Sequence, residues 1–475
     1  MGILIQKFGG TSVGSGERLV NVAGIVERSL KTQPVVAVVS ALSGTIKSEG
    51  TTSMLLQASD FAMKGIPFGE PLAVIERNHS AALEQAVKTP ALKDETRAFM
   101  HEELARLRSF LEAIEVIREL SPRSQDSILA VGEKLSARLL ATVLRDRGIK
   151  AVYTDLSNIV PKDETDVDPA FFRRLQKRIS GKCQPKEGEV PVVTGFIGMV
   201  PGGLLRVVGR GYTDFTAAMI AAGLGAGIAE EMQVWKEVDG IFTADPRKVP
   251  AARVLPRLTP AEASELTYFG SEVLHPFTME RVVSAQVPIR IKNTFNPDAA
   301  GTVISPSRAD GAAPPARGAA NGEERPPRVT AVTSKRGITV LTVHSNRMFN
   351  AHGFLARVFQ ALEQHGVVVD LVSTSEVSIS CTVERLEDAE RAKADLEKVG
   401  QVYLTPGRAI IAAVGEGMKY AAGTAGRMFS TLGETGVNIE MISQGASEIN
   451  ISCVVKEEDA EKGLRAVHKA FVETA

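Results

Sequence analysis

The sequence predicts an α/β protein: a mostly parallel sheet covered by helices on both faces, followed by a duplicated α+β unit. Three observations carry that prediction. Near-continuous apolar runs of strand length alternate with helical patterns through the first part of the chain. A stretch empty of bulky apolar residues then interrupts it, and the remainder holds two copies of one pattern.

The apolar runs are Ile3 to Ile5, Val35 to Val39, Val152 to Tyr153, Val190 to Phe196, Gln233 to Trp235 and Ile289 to Ile291. Runs that are apolar at consecutive positions suit strands buried on both faces. Between them, Leu104, Leu107, Leu111, Ile114 and Ile117 recur at three- and four-residue steps among charged neighbours, which predicts a helix whose stripe packs against its neighbours. Together these define one domain over 1–304. Ser305 to Arg328 reads SPSRADGAAPPARGAANGEERPPR, too poor in apolar surface to offset its ordering entropy, so 305–328 is expected to be a flexible linker.

Beyond the linker, ARVFQALEQHGVVVDLVSTSEVSISCTV from Ala356 parallels GRMFSTLGETGVNIEMISQGASEINISCVV from Gly426. The shift is 70 residues at Arg357 and Arg427 (427 − 357) and at Asp370 and Glu440 (440 − 370), growing to 72 at Cys381 and Cys453 (453 − 381). Each copy reads as strand, helix, glycine turn, strand, hairpin, strand. Two small domains, over 329–405 and 406–475, are expected, with strands open to exchange between them.

A chain of 475 residues exceeds one ordinary core. Its 55 Lys and Arg against 56 Asp and Glu create no overall field to draw nucleic acid or an anionic membrane, so any anion site is local. Cys183, Cys381 and Cys453 are odd in number and far apart, which fits core thiols in a reducing compartment. The apolar runs are too short for a bilayer, and no signal-like segment opens the chain; the expectation is a cytoplasmic protein with no membrane or nucleic-acid partner. None of the seven histidines sits in a metal-ligand pattern, His275 before Pro276 reads as structural, and no residue is assigned as a metal ligand.

Lys7-Phe8-Gly9-Gly10-Thr11-Ser12 puts a cation and two glycines behind the first apolar run. Side-chain-free residues admit a polyanion to backbone N–H groups, although two glycines also serve simply to turn. Gly209 to Asp214, followed by the helix-like Phe215 to Leu224, offers further donors near Arg210; it reads equally as a capping turn with Thr213 or Asp214 as the cap. Trp235 to Arg247 is a polar, turn-rich loop ending in a cation. Glu133, in Gly132 to Arg138, is either a functional acid or a first-turn acid complementing a helix dipole. No GxxxxGK[ST] motif occurs, and Gly223-Leu-Gly225-Ala-Gly227 lacks the spacing of a dinucleotide turn.

Taken together, KFGGTS at Lys7 to Ser12, GEKLSARLLA from Gly132, TGFIG at Thr194 to Gly198, GRGYTDFTAA from Gly209, DGIFTADPRKV from Asp239 and FGSEVLHP from Phe269 resemble the aspartate kinase family, in family order across nearly the whole chain. The wording of GRGYTD and GTTSMLL is closer to fungal members than to the common bacterial form. The resemblance implies a three-layer αβα amino acid kinase domain followed by two ferredoxin-like ACT domains. It also implies transfer of the ATP γ-phosphoryl group to the side-chain carboxylate of L-aspartate with Mg²⁺, early in lysine, threonine and methionine biosynthesis.

By the same resemblance, Lys7 and Asp214 are catalytic: Lys7 neutralises charge on the transferred group, and Asp214 organises Mg²⁺ and Lys7. Ser40, Thr52, Glu133, Phe196, Arg210 and Thr213 form the aspartate side, with Arg210 on a carboxylate and Glu133 on the α-ammonium. Lys7, Gly9, Gly10, Lys236, Glu237, Phe242 and Arg247 form the nucleotide side. The family threonine after Ser40-Ala41 is replaced by Ile46, so its role passes to Thr51 or Thr52, with Thr52 preferred. Lys236-Glu237 stands where bacterial members have Thr-Asp, and Glu272 where many have Lys.

In the first repeat, Met348, Ala351, Phe354, Leu355, Val369, Asp370, Thr374 and Ser375 match positions that face an amino-acid effector in related enzymes, which implies feedback by threonine or lysine. Paired ACT units also imply a homo-oligomer, at least a dimer. The alternatives are a relative phosphorylating another acid, such as glutamate, and an inactive amino-acid sensor.

Overall fold

The computed structural model describes residues 2–44, 47–161, 163–198, 200–209, 211–269, 274, 276–305, 329–345, 353–375 and 377–473. The expected linker therefore lies outside the described residues from 306 onward, as do Arg210, Ile46, Glu272, His275, Met348 and Ala351. Two compact units emerge: Met1–Gly240 with Pro256–Pro260 and Leu274–Ser307, and Ile241–Leu255 with Ala261–Val273 and Arg308–Ala475.

The first unit is built on an eight-stranded sheet. Its strands are β1 (Ile3–Phe8), β2 (Val35–Val39), β3 (Ala151–Thr154), β4 (Val190–Thr194), β5 (Ala229–Lys236), β6 (Arg257–Leu258), β7 (Ile289–Asn293) and β8 (Thr302–Ile304). They run in the order β3-β4-β2-β1-β5-β7-β8-β6, parallel except for the β7–β8 pair. Each apolar run read as a strand is one, and all six run parallel, because Val-rich segments such as β2 are buried at every position.

Helices α1 (Gly16–Leu30), α2 (Thr51–Lys64), α3 (Gly69–Ala86), α4 (Pro90–Ile117), α5 (Pro122–Asp146), α6 (Phe171–Cys183), α7 (Leu204–Val207) and α8 (Tyr212–Leu224) precede α9 (Pro260–Tyr268), which from Ala261 onward belongs to the second unit, and α10 (Pro276–Ser284). The apolar stripe read from sequence lies in α4, where Leu104, Leu107, Leu111 and Ile114 are buried; its last member, Ile117, ends the helix and is exposed instead of packed. Helix α5 begins where Ser121 accepts a hydrogen bond from the Ser124 N–H and Pro122 takes the first helical position. Gly225 closes α8 at φ 70°, so the glycines near it serve a helix end.

The second unit carries β9 (Ala331–His344), α11 (Phe354–Gln364), β10 (Val369–Thr374), β11 (Ser378–Val383), α12 (Leu386–Leu396), β12 (Gln401–Val414), α13 (Thr424–Glu434), β13 (Met441–Gln444), β14 (Asn450–Lys456) and α14 (Ala460–His468). One antiparallel sheet, β10-β11-β9-β12-β14-β13, joins both copies. Strands β9 and β12 pair along almost their whole length and serve both copies. Residues 338–344 of β9 pair with 401–408 of β12, while 331–335 pair with 410–414. Val332 therefore packs in the core of the second copy with Met428, Leu432 and Leu464, although it precedes the first in sequence. The first copy's core holds Leu341, Val358, Leu362, Ile379 and Cys381.

Ile241–Leu255 belongs to this unit through the Thr243 carbonyl, which accepts from the Val332 N–H at 2.8 Å, and the Thr243 hydroxyl, 2.9 Å from His468 Nε2. The three cysteines are buried thiols that burial pushes up to about 12, the behaviour of core filler.

Candidate active site

Parallel register brings the ends of β1, β2, β4, β5 and β7 to one edge of the first sheet. Phe8 is level with Val39 and Trp235, Val39 with Thr194, and Lys236 with Asn293. Gly9, Ser40, Gly195 and Glu237 therefore leave the sheet side by side, and crevices beyond the carboxyl ends of parallel strands are where such sheets take ligands.

Lys7, the penultimate residue of β1, reaches across this edge. Its Nζ lies 2.8 Å from Asp214 Oδ1, with the two side chains 11% and 13% exposed. Asp214 is the third residue of α8. The cap of α8 is Gly211 at φ 97°, with no side-chain cap, so neither Thr213 nor Asp214 plays the capping part that sequence allowed. Both side chains turn to the strand ends instead: Thr213 Oγ1 meets Ser40 Oγ at 2.9 Å while Asp214 meets Lys7.

The loops fit together only because glycine stands at close approaches. A Cβ on Gly10 would fall 2.6 Å from the Ala41 carbonyl oxygen, and one on Gly132 would fall 2.8 Å from Ala41 Cβ. Gly9 has open room, with Lys7 Nζ 3.7 Å from where its Cβ would stand. A polyanion approaching Gly9 meets that cation at once.

Glu133 departs from its sequence reading. It is not a first-turn acid; α5 starts eleven residues earlier at Pro122, which places Glu133 in mid-helix with no exposed surface. Its Oε1 accepts from the Tyr212 hydroxyl at 2.9 Å and from the Ala41 N–H at 3.3 Å. Among the described residues its Oε2 is buried with no hydrogen-bond partner. Burial pushes this carboxyl up to about 7, against the opposing pull of the Tyr212 and Ala41 hydrogen bonds. A buried, half-satisfied carboxyl is a costly arrangement in a folded protein and marks a functional candidate.

Of the remaining assigned residues, Thr52 lies beside the Tyr212 phenol, next to the Glu133 cluster. Phe196 is fully buried, its ring edge-on to Tyr212 at 5.0 Å; it supports Tyr212 from beneath and offers no face to a ligand in this conformation. Lys236 closes β5, its carbonyl accepting from the Thr294 N–H at 2.8 Å, and Glu237 beside it is exposed. Phe242 and Arg247 fall in the second unit. There Phe242 bridges Val254, and Arg247 makes two 3.0 Å bonds to Asp245.

The effector set is split. Phe354 is buried in the first copy's core, facing no ligand, whereas Leu355 is exposed. Val369 packs partly against that core. Asp370 receives two bonds from Lys335 Nζ, at 2.9 and 3.0 Å, and Lys335 also meets Glu384 at 2.7 Å. Thr374 is level with Ile379, and the Ser375 hydroxyl lies 2.8 Å from that of Ser378 in the hairpin turn.

Sequence reasoning passed over Tyr212, the residue that ties Glu133, Thr52 and Phe196 together. Its one sequence-level signal is a large aromatic among the small residues of GRGYTD. Among the described residues, no group of three or more His, Cys, Asp or Glu is placed to hold a metal, and no helix is long and apolar enough to cross a membrane.

The amino acid kinase family matches residues 2–293, and the ACT domain matches 341–399 and 411–471, starting 70 residues apart (411 − 341). The chain is 44% identical to the aspartokinase of Schizosaccharomyces pombe, over 99% of this chain and 93% of that protein. It is 45% identical to that of Saccharomyces cerevisiae, over 98% and 92%. Among solved structures, Escherichia coli aspartokinase III in complex with aspartate and ADP is similar at a TM-score of 0.74 and 29% identity, covering 98% of this chain and 99% of that one. The same enzyme in complex with lysine and aspartate gives 0.77 and 29%, covering 99% of each. Motif order, fold and near-complete alignment agree: the chain belongs to the amino acid kinase family and, within it, to the aspartokinases.

Proposed function

We propose that this chain transfers the γ-phosphoryl group of ATP to the side-chain carboxylate of L-aspartate, giving 4-phospho-L-aspartate and ADP. An aspartate carboxylate oxygen forms the new bond to Pγ as the bond between Pγ and the β,γ-bridging oxygen breaks. ADP leaves with the electron pair. The observation that carries the reading is the Lys7–Asp214 pair, held at 2.8 Å beside Gly9 at the edge where the parallel strands end.

Phosphoryl transfer needs alignment and charge cancellation more than covalent help. Lys7 supplies a fixed cation for the transferred group, and Asp214 holds that cation in place. No general base is required, because a free carboxylate is already ionised at neutral pH. Gly9 and Gly10 offer backbone N–H groups to the phosphates, and Lys236, Glu237, Phe242 and Arg247 are assigned to the nucleotide. Asp214 suits one carboxylate of a Mg²⁺ held mainly by phosphates and water, which when bound spreads the negative charge of the triphosphate.

On the acceptor side, Arg210 is assigned to a carboxylate, Ser40 and Thr213 to hydroxyl contacts, and Glu133 to the α-ammonium. Glu133 Oε2 is unpartnered but sealed, so it meets an ammonium only as the surrounding side chains move. Hydroxamate trapping of the acyl phosphate with ATP and aspartate, run beside glutamate, tests the reading. Product with aspartate alone is expected; equal product with glutamate, or none with either, overturns it.

The duplicated region, read as domains over 329–405 and 406–475, is proposed to bind an amino-acid effector, threonine or lysine, and to mediate self-association. Leu355, Phe359, Val368, Val372 and Val377 are exposed apolar side chains on the first copy, surface that a second chain would cover. Asp370 is already paired with Lys335, so an effector ammonium there must share or displace that lysine. Calorimetric titration with each amino acid decides the effector, and no heat from either removes the regulatory reading.

A further inference from the structure

Glu133 has four lone-pair directions and, among the described residues, two side-chain hydrogen bonds, both on Oε1. One donor, the Ala41 N–H, belongs to the loop leaving β2, and it is long at 3.3 Å. The other is the Tyr212 phenol at 2.9 Å, the shorter bond and the one with a side chain that could be otherwise. The phenol ring is itself backed by the Phe196 ring, edge-on to it at 5.0 Å. Tyr212 is 8% exposed and opens α8, two residues ahead of Asp214. The same helical turn thus presents Asp214 to Lys7, Thr213 to Ser40 and Tyr212 to Glu133.

We infer that Tyr212 is a positioning and specificity residue for the acceptor amino group: its hydroxyl saturates Glu133 Oε1, so that Oε2 alone is left to accept an ammonium. Tyr212 acts through Glu133 and touches neither phosphate nor reacting carboxylate. Discrimination follows from the unpartnered oxygen. A site that must satisfy a buried carboxyl rewards an acceptor that brings an ammonium and penalises one that does not. Succinate is aspartate without its ammonium, so the ratio of aspartate to succinate affinity measures the device.

The inference rests on aspartate being the acceptor, and the experiment separates the two. Tyr212→Phe keeps the ring against Phe196 and deletes the hydroxyl alone. Steady-state kinetics on the full chain give KM for aspartate, KM for ATP and the competitive Ki of succinate. Without the phenol donor Glu133 is free to turn its oxygens away from the ammonium, and the loss of that one charge-assisted contact to aspartate should raise KM for aspartate about tenfold. KM for ATP and the succinate Ki should stay close to wild type, while the thermal midpoint falls modestly because Glu133 loses a buried donor. Restoring a phenol-borne donor with Tyr212→3-fluorotyrosine should return KM for aspartate to near the wild-type value. An unchanged KM for aspartate, or a parallel rise in the succinate Ki, overturns the inference while leaving the kinase reading standing. A wild-type chain inert toward ATP and aspartate overturns both.

Discussion

Replacing Glu133 by Gln isolates what an ionisable group costs at this depth. Gln keeps an oxygen for the Tyr212 and Ala41 donors and changes only the unpartnered position. In the native chain burial raises the carboxyl from 4.5 to about 7. Between those values the folded protein binds more protons than the unfolded one, so stability falls as pH rises from about 4.5 to about 7 and then levels off. The gap of about 2.5 units, at about 1.4 kcal/mol each, amounts to a loss on the order of 3 kcal/mol. Glu133→Gln carries no such loss. Thermal unfolding of both proteins near about pH 5 and about pH 8.5 should show the variant gaining on wild type as pH rises. The variant should also lose aspartate affinity, since an amide offers an ammonium no charge. A difference in midpoint that is flat across this range would refute the reasoning, because it would mean that folding does not shift the titration of this carboxyl.

Three further perturbations bear on the same architecture. Lys7→Ala removes the cation at the end of β1 and should lower kcat by about three orders of magnitude, as loss of a principal charge-stabilising group does; near-normal kcat in a steady-state assay would refute its role. Gly132→Ala places a Cβ 2.8 Å from Ala41 Cβ. It should cost about 1–3 kcal/mol by overpacking and raise KM for aspartate by pushing the Ser40-Ala41 loop, read by thermal unfolding and kinetics together. Lys335→Met leaves the Asp370 carboxyl, 5% exposed, without its cation. Burial already raises Asp370, so the destabilisation, about 3 kcal/mol at neutral pH, should shrink as pH falls and the carboxyl takes up a proton; a pH-independent loss would count against the pair.

Much of the first unit was legible because its information is local. A run such as Val35 to Val39 is apolar at consecutive positions, and only a strand covered on both faces makes use of that. Lys7 ahead of two glycines was legible as charge beside bare backbone. The depth of Glu133 was not read, although the sequence held the signal: Ser121-Pro122 is a cap followed by proline at the first helical position, and counting from it places Glu133 in mid-helix. The second unit was legible as a repeat but not as a pairing scheme. Internal similarity marks which segments are alike, whereas β9 and β12 each divide their length between the two copies, a choice made by long-range hydrogen bonds.

The same distinction explains Tyr212. Its partner Glu133 is 79 residues away, and its support Phe196 comes from a different strand end. Periodicity cannot announce such a contact, and spacing cannot either. What a sequence does show is the anomaly: GRGYTD opens a helix with a bulky phenol among glycines, arginine, threonine and aspartate. A large polar aromatic survives burial only where its hydroxyl finds an acceptor. The acceptor had to be a side chain or carbonyl already at that edge, and a buried carboxyl that makes no ion pair among the described residues is the one that gains most from the donor. On this reasoning, Tyr212 and Glu133 are a single device, and neither can be interpreted, or replaced without consequence, apart from the other.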